Sequence, residues 1–167
     1  MSPAQTNALK WSFYALACLL LIFLKRLLLG SAAFWGAIPF LPPVLLAVVA
    51  SLEEMRPAVL FGIVFGAACD LSLPAPLPCL YTLAFTLSAL FVSALARSLL
   101  QPGFPRALMV TVLTIFVVDC FNAGALAVRG DASATMLSLC LRETLVSCPL
   151  LLPVYPLLRA IHRLFPE

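Results

Sequence analysis

The sequence predicts an all-α, polytopic membrane helix bundle of about six transmembrane helices, the second short or re-entrant, with residues 1–167 forming one integral membrane domain. Three observations predict it. Of the 167 residues, 63% are hydrophobic and 10% charged, where soluble domains run about 45–50% apolar and about 25% charged. Apolar runs of roughly 17–25 residues recur from end to end, each long enough to cross about 30 Å of hydrocarbon at about 1.5 Å per residue. The runs lack the period-two alternation of a membrane barrel, so helices are the way for the backbone to satisfy its own polar groups in lipid.

The first run covers residues 9–30. Its apolar core is followed, still within the run, by Lys25, Arg26 and further apolar sequence without a small-residue cleavage site, so it is expected to stay in the protein and not be removed as a signal peptide. The second, 34–52, is irregular. Pro42 and Pro43 fit a helix start, where a missing N–H costs least, and the helix that remains up to Glu54 is too short to cross alone. Residues 31–41 are then an interfacial or re-entrant stretch. The third run, 57–73, ends where prolines at 74, 76 and 78 forbid regular helix and predict a tight extended turn. The fourth covers 78–97 and is closed by Pro102-Gly103-Phe104-Pro105; the fifth covers 107–128 and the sixth 135–158.

Counting basic residues on alternate sides gives Lys10, Arg56, Arg97, Arg106, Arg159 and Arg163 against Lys25, Arg26 and Arg129, which predicts cytoplasmic termini. Trp11, Phe13 and Tyr14, and again Phe34 and Trp35, stand where interfacial anchors stand. Arg159, His162 and Arg163 resemble a basic flank that meets anionic membrane lipid. The net charge of +3 is small and scattered, which argues against a nucleic-acid partner.

Candidate chemistry is sparse. The six cysteines fall in or beside apolar runs and act as small apolar residues, with no paired spacing for a metal. His162 is the only histidine and falls in the C-terminal tail, so no metal, cofactor or catalytic site is expected. Glu53-Glu54-Met55-Arg56 approaches the Glu-Glu-x-x-x-Arg motif of CAAX-type membrane proteases but with the wrong spacing, and a charged turn accounts for it better.

A charge inside a span costs about 2.5–3.5 kcal/mol on insertion scales. Asp70, Asp119, Arg142 and Glu143 therefore need partners. Asp119 falls about 13 Å from the end of the fifth run and Arg142 about 10 Å into the sixth, at similar depth. The expectation is a buried Asp119–Arg142 pair with Asp70 as a second partner for the arginine, serving packing, a partner-binding site, or ligand or proton handling. Gly62 and Gly66 form a GxxxG whose small, polar face continues to Asp70, a surface for helix packing or partner contact.

Pro42-Pro43 opening a short apolar helix, the charged turn at Glu53 to Arg56, and Gly62-x-x-x-Gly66-x-x-x-Asp70 before a Leu/Pro turn resemble the rod shape-determining protein MreD family over residues 39–95. The resemblance implies a non-enzymatic scaffold of the bacterial cell-elongation machinery in the inner membrane. Its implied partners are an MreC-like bitopic protein and, through it, an MreB-like filament and the peptidoglycan synthases. That family is also similar in its six-helix plan to the substrate-binding subunits of energy-coupling factor transporters. A vitamin-binding transporter subunit, with Asp70, Asp119 and Arg142 lining a pocket beside Asn122, Ser133 and Thr135, is the competing expectation.

Overall fold

In the computed structural model, which describes residues 3–30, 35–73, 77–99, 103–130 and 136–165, the chain is helical with no strand among those residues. The helices are α1 (Pro3–Leu29), α2 (Leu41–Leu52), α3 (Met55–Ser72), α4 (Leu80–Leu99), α5 (Phe104–Val128), α6 (Met136–Ser147) and α7 (Leu151–Leu164). A 3-10 turn, Cys148–Leu150, joins the last two. The expected proline turn at 74–76 and the stretches at 31–34 and 131–135, including Phe34, Ser133 and Thr135, lie outside the described residues.

The short α2 organises the bundle. Its 12 residues span only about 18 Å, and Leu41 and every residue from Pro43 to Ala50 are buried. A helix that is apolar all round belongs in an interior, and α2 is sheathed by α1, α3, α4, α5 and α7. Its start follows the proline rule, with prolines in the first turn. The open N–H of Phe40 just before it is taken by the Ser147 hydroxyl oxygen at 2.9 Å, which ties the entry of α2 to the end of α6.

α3 and α4 make the closest helix pair. A Cβ at Gly62 would lie 3.1 Å from the Phe85 carbonyl oxygen and 3.3 Å from the Ala89 Cβ, and one at Gly66 only 2.6 Å from the Thr82 Cα. Small residues let the two backbones meet directly. This face of α3 is covered from within the chain.

α5 begins after Gly103 with a proline in its first turn. Beyond its end at Val128 comes Gly130, at φ +82°, the left-handed position that commonly stops a helix. The sixth expected run is divided. Pro149 has no N–H to continue the α-helical ladder, and the chain tightens into the 3-10 turn before α7 resumes. The final helix also runs past residue 158 to Leu164, so His162 belongs to a helix and not to a tail.

Candidate functional site

Three helix ends converge on one carboxylate. Glu53 follows the last residue of α2 in an extended conformation that ends the helix, and its side chain is 1% exposed. Lys10 of α1 donates to Glu53 Oε2 at 2.8 Å. The Tyr14 hydroxyl, one helical turn further along α1, donates to Oε1 at 2.7 Å. His162 of α7 stands 2.9 Å from Oε1 through Nδ1, and since a carboxylate only accepts, Nδ1 carries the donated proton. Burial alone would raise the Glu53 pKa; the hydrogen bonds from Lys10, Tyr14 and His162, and the Lys10 charge, overcome it and hold the carboxyl below its ordinary value.

This cluster corrects one expectation and refines another. Tyr14 is completely buried and is a hydrogen-bond donor, not an interfacial anchor. The charged turn falls between α2 and α3 as expected, with Glu54 and Arg56 exposed, but Glu53 within it is buried where α1, α2 and α7 meet. Lys10, at 3% exposure, is likewise interior. The signal available in the sequence was that Lys10, Glu53 and His162 fall on the same expected side of the membrane.

Beside the cluster a cleft of about 510 Å³ opens between the end of α2, the start of α5 and the end of α7, lined among others by Glu54, Arg106, Arg159 and Arg163. Arg159 also lies over the Tyr155 ring, 5.6 Å from its centroid, which fixes the direction of that side chain.

Asp70 occupies the opposite role from that of a free site residue. Its Oδ1 accepts from the Tyr81 N–H at 2.9 Å, and its Oδ2 accepts from the Thr82 N–H at 2.8 Å and the Thr82 hydroxyl at 2.6 Å. These are first-turn donors of α4, which no carbonyl within the helix can satisfy. Asp70 thus caps α4 from α3, one turn beyond Gly66. Asp70→Ala is expected to lower stability by about 1–3 kcal/mol, the range for losing a carboxylate cap and leaving its donors open. A thermal melt of the purified protein checks this, and an unchanged midpoint would show that the cap is not needed.

Asp119 and Arg142 do not pair. Arg142 is exposed and donates through a guanidinium N–H to the Trp35 carbonyl at 3.3 Å. Asp119 is buried, at 5% exposure, with Cys140 within hydrogen-bonding reach and Glu143 close enough for the two charges to interact. The reason is rotational. Cys140 and Glu143, three apart, share a face of α6, whereas Arg142 is turned about 200° from Cys140. The Oδ2 atom of Asp119 has no hydrogen-bond partner among the described residues. No three His, Cys, Asp or Glu side chains are grouped to share a metal ion among those residues.

Fold and site together define a multi-pass helical membrane protein. Four helical stretches among the described residues are long and apolar enough to cross a bilayer: Gln5–Leu28, Met55–Ser72, Phe104–Val128 and Ser138–Leu164. Comparison with protein-family models, curated proteins and solved structures gives no match to the chain.

Proposed function

We propose that the chain is a non-enzymatic scaffold of the bacterial cell-elongation machinery, crossing the inner membrane about six times with both termini cytoplasmic and docking an MreC-like protein and cell-wall synthases. The six crossings combine the four long stretches with the shorter apolar helices Leu41–Leu52 and Leu80–Leu95. Meeting of Lys10, Glu53 and His162 at one end of the bundle fits such a path, since α1 starts, α2 stops and α7 stops on the same side.

The observation that carries the reading is the α2–α3–α4 unit. The residues behind the family resemblance serve one compact frame: prolines start α2, Glu53 locks its end, Gly62 and Gly66 seat α4, and Asp70 caps it. Two of the three residues that would line a vitamin pocket are thereby engaged within the protein, Asp70 by α4 and Arg142 by the Trp35 carbonyl. One feature favours the transporter reading, the buried Asp119 oxygen without a partner among the described residues. With the glycine face covered, a docking helix has to use outer faces such as that of α1, where Leu16, Leu20, Phe23 and Leu27 are exposed.

Affinity purification of the tagged protein from its native host in mild detergent tests the proposal. Co-purification of an MreC-like bitopic protein and peptidoglycan synthases is expected. Recovery of ATPase subunits, or of a bound vitamin by mass spectrometry, would overturn it in favour of the transporter subunit.

A further inference from the structure

We propose that Asp119 of α5 and Glu143 of α6 form an intramembrane binding site for a single proton, shared between the two carboxyl groups. The balance of charge and of hydrogen bonds at this contact carries the inference. Both residues fall within stretches long enough to cross a bilayer, Phe104–Val128 and Ser138–Leu164. Asp119 is 5% exposed, and its Oδ2 has no hydrogen-bond partner among the described residues. Glu143, partly buried, is the charge that acts on it from α6. Neither carboxylate is in an ion pair among those residues. Arg142, the cation next in the chain, donates instead to the Trp35 carbonyl at 3.3 Å.

Two like charges that meet in apolar surroundings favour a state in which one of them keeps a proton. A proton on Asp119 Oδ2 turns an orphaned acceptor into a donor, and the Glu143 carboxylate, which only accepts, supplies the acceptor. An O–H that donates to a carboxylate makes one of the stronger hydrogen bonds, and here it would tie α6 to α5. The other ionisable groups around the pair offer no competing cation. On α6 there is Cys140, within hydrogen-bonding reach of Asp119, with Cys120 of α5 close to it. On α4 there is Tyr81, on which Asp119, Glu143, Asp70 and Cys69 all act. Asp70 already accepts from three donors of α4. α2 carries no ionisable side chain, and the 3-10 turn adds only Cys148. The basic residues of α7, Arg159, His162 and Arg163, come at its end. Arg159 lies over Tyr155, whose ring meets Phe104 at the start of α5, about 22 Å along that helix from Asp119. Ligand number also points to a proton. A metal ion takes several side-chain ligands at once, and no three His, Cys, Asp or Glu side chains are so grouped among the described residues. The inference holds for a scaffold and for a transporter subunit alike.

The full-length protein in detergent is treated at neutral pH with dicyclohexylcarbodiimide, and the labelled residues are mapped by mass spectrometry. This apolar reagent adds across the O–H of a carboxylic acid sheltered from water. The adduct rearranges to a stable N-acylurea with nothing lost, and an ionised carboxylate does not react. Label is expected on Asp119 or Glu143. Asp70, with three donors on its oxygens, and Glu53, paired with Lys10, are expected to stay unlabelled. Glu143→Gln and Asp119→Asn each remove one carboxyl and keep its shape. Labelling of the carboxyl that remains is expected to drop about fivefold, since no neighbouring charge then holds its proton. The unaltered protein gives its own answer if a variant does not fold. No label on either residue, equal labelling of Asp70 or Glu53, or undiminished labelling in both variants would overturn the proposal. Protection by sodium chloride but not by choline chloride would overturn it as well, by assigning the pair to a metal cation.

Discussion

Alanine at Gly66 is expected to destabilise the bundle by about 1–3 kcal/mol, and leucine there to prevent recovery of folded protein. Its added Cβ would sit 2.6 Å from the Thr82 Cα, 2.9 Å from the Tyr81 carbonyl oxygen and 3.0 Å from the Thr82 nitrogen. All three neighbours are backbone, so no side chain can swing aside. The only relief is to move α4, and its first turn is held by Asp70 of α3. At Gly62 the nearest approach is 3.1 Å, and alanine there should cost less. Gly124 has nothing within 4 Å of a built Cβ, so alanine should stabilise α5 by up to about 1 kcal/mol, the helix-propensity difference.

Thermal melts of the three alanine variants in one detergent should therefore rank Gly124→Ala highest and Gly66→Ala lowest. A Gly66→Ala midpoint at or above that of the unaltered protein would refute direct backbone contact between α3 and α4. Gly66→Ala and Asp70→Ala act on the same two residues, Tyr81 and Thr82. Their effects should fall short of additivity, because a helix end already displaced by one change has less to lose from the other.

What the sequence made legible follows from what periodicity can encode. Spacing along one helix is written in the chain, so the small face through Gly62, Gly66 and Asp70 was visible before any coordinates. Proline chemistry is equally local, and Pro42-Pro43 marked the start of α2. Depth along a helix is also nearly local. Rotation about the axis relative to a neighbour is not, and the expected Asp119–Arg142 pair failed there: both residues have suitable depth, but Cys140 and Glu143 are the ones turned toward Asp119. A one-residue difference in position turns a side chain by about 100°, which depth arithmetic does not register.

The Glu53 cluster was missed for a related reason. Lys10, Glu53 and His162 are separated by 43 and 109 positions from one another through Glu53, and nothing local announces that α1, α2 and α7 are neighbours. Read separately, Lys10 counted toward topology, Glu53 belonged to a charged turn and His162 to a basic flank. Only packing separates a flank that meets water from a carboxylate with 1% of its side chain exposed. Burial of α2 through Ala50 is what draws Glu53 inward, since a helix of 12 residues wrapped by five others ends among them.

Glu53→Gln is expected to cost about 3–5 kcal/mol, the range for breaking a buried ion pair from one side. Glutamine keeps the shape and one acceptor but leaves Lys10, at 3% exposure, without the counter-charge 2.8 Å away. Lys10→Met in the same chain should recover a large part of the loss, because it removes the stranded charge; failure of that rescue would mean Lys10 and Glu53 are not energetically coupled. The pH dependence has a defined sign. The folded-state pKa of Glu53 lies below its ordinary value of 4.5, so the unfolded chain takes up the proton first as pH falls. The stabilisation is complete above about 4.5 and is lost as pH drops through the lower folded value. Melting midpoints of the unaltered protein should thus fall more steeply below pH 4.5 than those of Glu53→Gln, and the two should converge in acid. Because the pair is buried, raising salt should leave the difference at neutral pH almost unchanged. In Glu53→Gln one neutral amide oxygen is left for the donors of Lys10, Tyr14 and His162, so the hold on His162 weakens and the end of α7 should become more open to proteases, linking the stability of the cluster to the ordering of the last helix.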